Sequence, residues 1–246
     1  MAPSLHSLVA STANVQTIWR KELRSSFNSP MAYVVIVVFL SIVGWFHTSN
    51  LFLFNVASMR VVFEIIPTVF MFVIPGITMR LLSEERKSGT LELLTTKPLY
   101  DVEIILGKFF GAWTLTGIAL LPTLIYYLTL AALGDVDTGP VIGGYLGLFL
   151  MAGVYVAMGL LASSLTDNQV IAFILGFLLV FAIFMLDKVL MYVPEWMASE
   201  IEYLAIDYHF SGIARGVIDT RNVVYFLSAQ FVALVLATLA LERRKW

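Results

Sequence analysis

The sequence predicts an all-α, polytopic membrane protein with six transmembrane helices. Apolar residues make up 59% of the 246 residues and charged residues only 13%, whereas soluble domains carry about 25% charged residues. The mean hydropathy is +0.88, and long stretches of the chain contain no charged side chain. A chain with so few polar residues cannot cover a soluble core of this size, so most of it is expected to lie in lipid.

Six stretches are apolar and long enough to cross a hydrocarbon layer of about 30 Å. They are 31–59, 65–79, 109–134, 138–166, 168–186 and 222–241. The second is short, but residues 61–63 extend it past Glu64 to about 20 residues. Backbone groups in lipid must be paired within the segment, and none of the stretches alternates like a barrel strand. Each stretch is therefore predicted to be a helix.

The distribution of Lys and Arg predicts the orientation. One side carries 11 of the 15, namely Arg20, Lys21, Arg24, Arg80, Arg86, Lys87, Lys97, Lys108, Arg243, Arg244 and Lys245. The other side carries four, namely Arg60, Lys188, Arg215 and Arg221. The first side, with both chain termini, is expected to be cytoplasmic. Residues 1–17 lack the pattern of a cleaved signal peptide and are expected to form a tail ahead of one domain, 18–246.

The polar residues argue against several classes of function. A net charge of −2 with scattered cations gives no basic surface for nucleic acid. The chain has no Cys and only three scattered His, so no metal site is predicted. Gly107-Lys108 is followed by Phe109, and Val102 stands where a P-loop needs its first Gly. No catalytic site is therefore predicted, and the chain needs no cofactor of its own.

The approach to the first span predicts an amphipathic helix over residues 18–27. At helical spacing its apolar and basic residues fall on different faces: Trp19, Leu23 and Phe27 on one, and Arg20, Lys21 and Arg24 on the other. Such a helix lies at the membrane interface, where it either anchors the topology or receives a push from a cytoplasmic partner.

The polar stretch 80–108 between the second and third spans predicts a docking element. Its first helix is expected to break at Gly89, which supplies a positive φ, and Thr90 is expected to cap a short helix over 91–96 that ends before Pro98. Asp101 is expected to cap the third span. The short helix places three Leu outside the membrane, where they need cover. A soluble partner provides it, or the segment packs back on its own helices.

Two further polar segments are candidate contact sites. The turn 162–169 contains Thr166, Asp167 and Asn168, and Thr166 or Asp167 is expected to cap the fifth span. It is either a simple reversal or a second contact for the partner. The stretch 187–221 mixes aromatic and acidic residues and should lie at the outer interface. It is either an external cap or an outer gate, with Trp196, Tyr203, Tyr208 and Phe210 as gate candidates.

Isolated residues within the spans give weaker signals. Glu64 is expected to pair with Arg60 four residues earlier rather than form a transport site. Gly107 with Gly111, and Gly143 with Gly147, fit the G-x-x-x-G pattern that permits close helix packing. Pro67, Pro75 and Pro122 predict kinks or unwound turns.

The motifs of the polar stretch resemble a known family. EERKSGTLELL at 84–94, with Lys97-Pro98 and IILGK at 104–108, is similar to the coupling-helix region of type 2 ABC exporters. FNSPMAY at 27–33, SSLTDNQ at 163–169 and RGVID at 215–219 resemble, more narrowly, the F subunit of the gliding-motility ABC transporter family. The nitrous-oxide-reductase maturation permeases are a more distant likeness. The resemblance runs from about residue 18 to residue 244.

The resemblance implies an ATP-driven exporter permease in a bacterial cytoplasmic (inner) membrane, with both termini cytoplasmic. Its partners would be an ABC ATPase that holds ATP and Mg, a second permease copy or related subunit, membrane lipid and a large periplasmic accessory subunit. The ATPase-coupling residues it implies are Glu84, Glu85, Arg86, Gly89, Thr90, Leu91, Glu92, Leu93 and Leu94. It also implies a partly re-entrant hairpin between the fifth and sixth spans. An ion-coupled secondary transporter and a non-transporting scaffold are the alternatives.

Overall fold

The computed structural model describes residues 5–54, 58–90, 99–134, 136–190 and 193–243, and these residues form helices joined by short turns. In chain order the helices are α1 (Leu5–Asn28), α2 (Pro30–Phe54), α3 (Arg60–Thr78), α4 (Arg80–Lys87), α5 (Asp101–Leu120), a 3₁₀ turn (Leu121–Thr123), α6 (Leu124–Leu133), α7 (Thr138–Leu165), α8 (Gln169–Val189), α9 (Glu195–Leu204), α10 (Ile206–Ala214) and α11 (Thr220–Glu242).

Six helical segments within these residues are long and apolar enough to cross a membrane, which confirms the predicted fold class and span count. They are Pro30–Phe52, Arg60–Lys87, Asp101–Leu133, Thr138–Leu165, Gln169–Val189 and Thr220–Glu242. The third is interrupted at Pro122 by the 3₁₀ turn, as predicted for that residue. Pro67 and Pro75, in contrast, lie inside the helical span of α3.

Helix α7 forms the centre of the bundle. It contacts α3, α5, α8, α10 and α11, and most of its side chains are buried. Small residues on α7 allow α3 and α4 to approach closely in a parallel arrangement. Phe63 packs on Gly144, Thr78 on Gly159 and Leu82 on Ser163, and the two members of each pair are 81 positions apart in the chain. The constant offset shows that the two elements run side by side in register.

Different helices lie at the two ends of the bundle. One end, which we name the terminal face, carries α1, α4, the turn 166–168 and the C-terminal end of α11. The opposite end, the hairpin face, carries α9 and α10. Helix α11 runs from the hairpin face into the bundle, because Asn222 at its start bonds His209 of α10 and Gln230 bonds the Leu150 carbonyl halfway along α7. The predicted hairpin between the fifth and sixth spans is thus present as α9 and α10.

Two helix starts differ from the sequence-based expectation. Helix α1 begins at Leu5, well inside the predicted tail, and Asn14 within that tail donates a hydrogen bond to Glu103 of α5. Asp101 is not a cap but the first residue of α5, which follows Tyr100. Glu103, three residues further on, reaches back and accepts the Tyr100 N–H at 3.1 Å. This bond satisfies a backbone donor that the helix itself leaves unpaired.

Candidate functional site

A buried ion triad joins three helices at the terminal face. Lys108 of α5 is 2% exposed, and its Nζ lies 2.9 Å from Glu22 Oε1 of α1 and 2.9 Å from Glu85 Oε1 of α4. Lys21 Nζ lies 3.9 Å from the same Glu85 oxygen, so two cations face two carboxylates. A buried ammonium without its carboxylates would be strongly unfavourable. The triad therefore holds α1, α4 and α5 in one arrangement.

The predicted G-x-x-x-G pattern on α5 is the contact surface for α1. A Cβ added to Gly107 would lie 2.6 Å from Ile18 Cβ, and one added to Gly111 would lie 2.8 Å from Glu22 Cβ. Asn14 Nδ2 donates to Glu103 Oε2 at 3.1 Å, one turn before the Gly107 contact. The contacts advance by four residues on both helices, so α1 and α5 run parallel. Glycine at both positions lets the helices meet closely enough for the triad to form.

Helix α1 has the two faces that the sequence predicts. Trp19, Leu23 and Phe27 are partly buried, and Trp19 Nε1 donates to Thr114 Oγ1 of α5 at 3.0 Å. Arg20, Lys21 and Arg24 are exposed. The apolar side is thus covered by the protein itself, and the basic side is free to meet a polar surface.

The predicted coupling residues at the start of the polar stretch divide into an outer and an inner group. Glu84 has a side chain that is 47% exposed and pairs with Arg80 at 2.8 Å. Glu85 points inward to Lys108, with a side chain only 17% exposed. Arg86 is partly buried. Gly89 has φ +70°, as predicted for the end of a helix.

Thr90, the predicted cap of the docking helix 91–96, is exposed, and its hydroxyl donates to the Glu85 carbonyl at 3.2 Å. The predicted docking residues Leu91, Glu92, Leu93 and Leu94 lie outside the described residues. The helices on either side of the segment are described. Helix α4 ends before this segment and α5 begins after it, and each of the two helices contributes one residue to the triad. The site is therefore a junction that brackets the predicted docking segment.

Ser163 of α7 anchors this junction to the centre of the bundle. Its Oγ accepts the N–H groups of Leu82 and Ser83, both at 3.1 Å, and donates to the Met79 carbonyl at 3.0 Å. These groups lie where α3 passes into α4, and Ser163 is fully buried. One hydroxyl thus fixes the position of α4 against α7.

The turn proposed as a second contact lies beside α4 on the same face. Asp167 and Asn168 are exposed, and Thr166 is partly exposed. The expectation that Thr166 or Asp167 caps the following helix is wrong, because Asn168 Oδ1 accepts the Val170 N–H at 2.9 Å and is the cap of α8. Thr166 Oγ1 instead accepts the Asn168 N–H at 3.2 Å.

Sequence reasoning missed Glu22, Lys108 and Ser163 as site residues. The position of Lys108 in the sequence could have marked it as a site residue, since a lysine at the edge of an apolar span requires a counter-charge. Its partners, however, are 86 and 23 positions away in the chain, and local spacing contains no information about such pairs.

The four outer-gate candidates do not converge on one point at the hairpin face. Phe210 is buried against Gly147 of α7, whereas Trp196 is 77% exposed. Tyr203 and Tyr208 meet the ring of His209 edge-on, and that ring is stacked on Tyr225. The aromatic residues therefore hold the hairpin to α11 around His209.

Glu64 and Arg60 form the predicted local ion pair, with Nε 2.8 Å from Oε1. Both side chains are largely exposed, so Glu64 is not a buried transport site.

Comparison with known proteins agrees with this architecture. A family model described as ABC-2 family transporter protein matches residues 10–205, which run from within α1 to the end of α9 and make up most of the chain. A comparison with curated proteins finds no match.

Proposed function

Because this chain belongs to the ABC-2 family of transporter proteins, we propose that its terminal-face junction transmits the movements of a separate ATPase to the membrane bundle. The chain is a multi-pass membrane component of an ABC transporter, and ATPase activity lies in separate subunits. Within that role, we propose export or mechanical transmission as its work.

The observation that carries the proposal is the Lys108 triad. Glu85 lies six residues before the predicted docking segment 91–96, and Lys108 lies in the third turn of the helix that follows that segment. A force applied to the segment reaches α4 and α5 together, because the buried ion pair joins them. Glu22 adds α1 to the same unit. An ATPase docked on 91–96 therefore moves three helices rather than one loop.

The route from the junction into the bundle runs through α7. Ser163 holds the joint of α3 and α4 at one end of α7. At the other end Gly143 and Gly147 are in close contact with Ile213 and Phe210 of α10. Because helices in a packed bundle move as rigid elements, a shift of α4 at the terminal face displaces α7 and with it the outer hairpin.

The orientation, the neighbours in the membrane and the type of permease are part of the same proposal. Eleven of the 15 Lys and Arg are predicted on the side of the terminal face, which supports a cytoplasmic location for this face in a bacterial inner membrane. α8 presents exposed Ile171, Ile174 and Leu178, which a second permease copy or lipid would cover. The motif resemblance supports a permease of the gliding-motility type, with a periplasmic accessory protein as a further partner. The exposed, paired Glu64 gives no support to ion-coupled transport.

The test is an ATP-dependent distance measurement on the complex with its ATPase. The chain has no Cys, so spin labels placed at Arg24→Cys on α1 and Glu242→Cys on α11 report movement across the terminal face. Binding of Mg and a non-hydrolysable ATP analogue should change this distance. Lys108→Gln should suppress the change although the ATPase still copurifies. Lys87→Gln, an exposed cation on α4 outside the triad, is the control.

Two results would contradict the proposal. An unchanged distance shift in Lys108→Gln would show that the triad transmits nothing, and failure of any ATPase to copurify with the wild-type chain would remove the partner. If Lys108→Gln does not fold, Glu22→Gln provides the same test. It retains the ion pair between Lys108 and Glu85, and it should uncouple α1 alone.

A further inference from the structure

A cavity of about 1000 Å³ opens at the hairpin face between α3, α7, α8 and α10. Helices α3 and α8 are in contact further inside the bundle, where the rings of Phe72 and Phe177 lie 5.0 Å apart. The cavity lies on the hairpin side of that contact, where Thr68 of α3 and Phe184 of α8 line it. Its volume is at the upper end of the range of ligand sites, about 300–1000 Å³.

Three of the residues that line the cavity are aromatic. Phe63, Phe184 and Phe210 come from three different helices, and Val141 of α7 also lines the cavity. Phe63 is fixed edge-on against Tyr145, and Phe210 is held against Gly147. A wall of fixed aromatic rings binds an apolar chain and offers little to a polar one.

The charged lining is balanced overall. It contains three cations, Arg60, Lys188 and Arg215, and three acids, Glu64, Asp137 and Asp207. Four of the six form ion pairs with each other, Arg60 with Glu64 at 2.8 Å and Lys188 with Asp207 at 3.3 Å. A ligand of one charge sign therefore gains little from the cavity as a whole.

Arg215 and Asp137 are the remaining two charges. Within the described part of the chain neither takes part in an ion pair; Asp137 Oδ1 accepts only the Gly139 N–H, at 3.0 Å. They flank one backbone contact, since a Cβ on Gly216 would lie 2.9 Å from the Gly139 carbonyl carbon. The backbone segments that carry this cation and this anion thus touch each other, and both residues line the cavity together with the aromatic rings.

From this arrangement we propose that the cavity is a binding site for a zwitterionic amphiphile. The acidic group of its head pairs with Arg215, the ammonium group with Asp137, and the apolar chain lies against Phe63, Phe184 and Phe210. Such a molecule comes either from the adjoining lipid leaflet or from the aqueous phase. Binding at this site requires neither nucleotide nor ATPase, so it can be tested independently of the proposed function.

The test is a binding measurement on the full chain in amphipol, without lipid. Thr68→Cys places a small trifluoroethylthio label in the lining, and ¹⁹F NMR follows its chemical shift. Three dodecyl compounds are titrated below their micelle concentrations: dodecylphosphocholine, dodecyl phosphate and dodecyltrimethylammonium. The zwitterionic compound should bind about tenfold or more tightly than the other two, because only it satisfies both charges.

Matched variants assign the head group. Arg215→Gln and Asp137→Asn should each raise the Kd for dodecylphosphocholine about tenfold. Asn keeps the helix cap of α7. Arg221→Gln removes an exposed cation outside the cavity and should change nothing. No binding, equal affinity for the three compounds, or an unchanged Kd in Arg215→Gln would each overturn the site.

Nanodiscs distinguish the two sources. If the ligand is a lipid of the leaflet, the label should report the occupied state in phosphatidylcholine discs without any added compound, and not in phosphatidylglycerol discs. If the ligand comes from water, the shift should appear in both kinds of disc only after dodecylphosphocholine is added.

Discussion

Lys108 Nζ and Glu85 Oε1 lie 2.9 Å apart, although the docking segment separates their helices in the chain. Lys108 is almost fully buried, and its ammonium pairs with both carboxylates of the triad, Glu22 and Glu85. This single side chain therefore determines how α1, α4 and α5 are assembled at the terminal face.

Replacing Lys108 should destabilise the junction strongly. Lys108→Met leaves two partly buried carboxylates facing each other, and loss of one partner of a buried ion pair costs about 3–5 kcal/mol. The free energy of unfolding is measured by denaturant titration of the purified chain in detergent. Lys21→Met is the control, because Lys21 is largely exposed and 3.9 Å from Glu85, which predicts a loss of about 1 kcal/mol or less. Equal losses in the two variants would contradict the assignment.

A methyl group on Gly107 should separate α1 from α5. Gly107→Ala places its Cβ 2.6 Å from Ile18 Cβ, and overpacking of this kind costs about 1–3 kcal/mol. Proteolysis of the native protein should then cut α1 faster than in the wild type. Gly76→Ala is a matched control in α3, because its Cβ would meet nothing within 4 Å. If Gly107→Ala resists the protease as well as Gly76→Ala does, α1 is not held by this contact.

Removal of the Ser163 hydroxyl should loosen α4. Ser163→Ala leaves the N–H groups of Leu82 and Ser83 without their side-chain acceptor, which costs about 1–3 kcal/mol in a buried site. Ser164→Ala is the control, because its equally buried hydroxyl bonds only Leu161 in its own helix. Hydrogen exchange of the α4 amides should accelerate in the first variant. The same exchange pattern in both would rule out Ser163 as the anchor.

Shortening two leucine side chains in the docking segment should weaken the complex with the ATPase. Each buried Leu side chain contributes about 1.5–3 kcal/mol, so Leu93→Ala with Leu94→Ala should lower partner affinity by roughly two orders of magnitude. Copurification of the ATPase from detergent is the measurement. Val102→Ala, an exposed apolar residue near the start of α5, is the control. Full recovery of the ATPase with the double variant would place the docking site elsewhere, with 166–168 as the next candidate.

The two faces should lie on opposite sides of the membrane. Single cysteines at Ser88 on the terminal face and at Trp196 or Val217 on the hairpin face are all at exposed positions. An impermeant thiol reagent added to intact cells should label the cysteines at Trp196 and Val217. It should leave Ser88→Cys unlabelled until the cells are opened. Labelling of Ser88→Cys in intact cells would reverse the proposed orientation.

The sequence by itself determined the features that depend on neighbours along the chain. Six apolar stretches predicted six spans, and the spacing of Trp19, Leu23 and Phe27 predicted the buried side of α1. The break at Gly89 followed from the conformational freedom of glycine. The pair of Arg60 and Glu64 followed from the helical spacing of four residues. Each of these features is set within a few turns of one helix, where residue spacing and periodicity are sufficient.

Only the tertiary structure decided which helices meet. The glycine pattern of Gly107 and Gly111 indicated a close contact but not that α1 makes it. Buried Lys108 requires a counter-charge, and only the packing of the helices shows that Glu22 and Glu85 provide it. Such pairings depend on how rigid helices pack around α7, and packing brings together residues that are distant in the chain. No local spacing encodes that arrangement, so the junction could be located only in three dimensions.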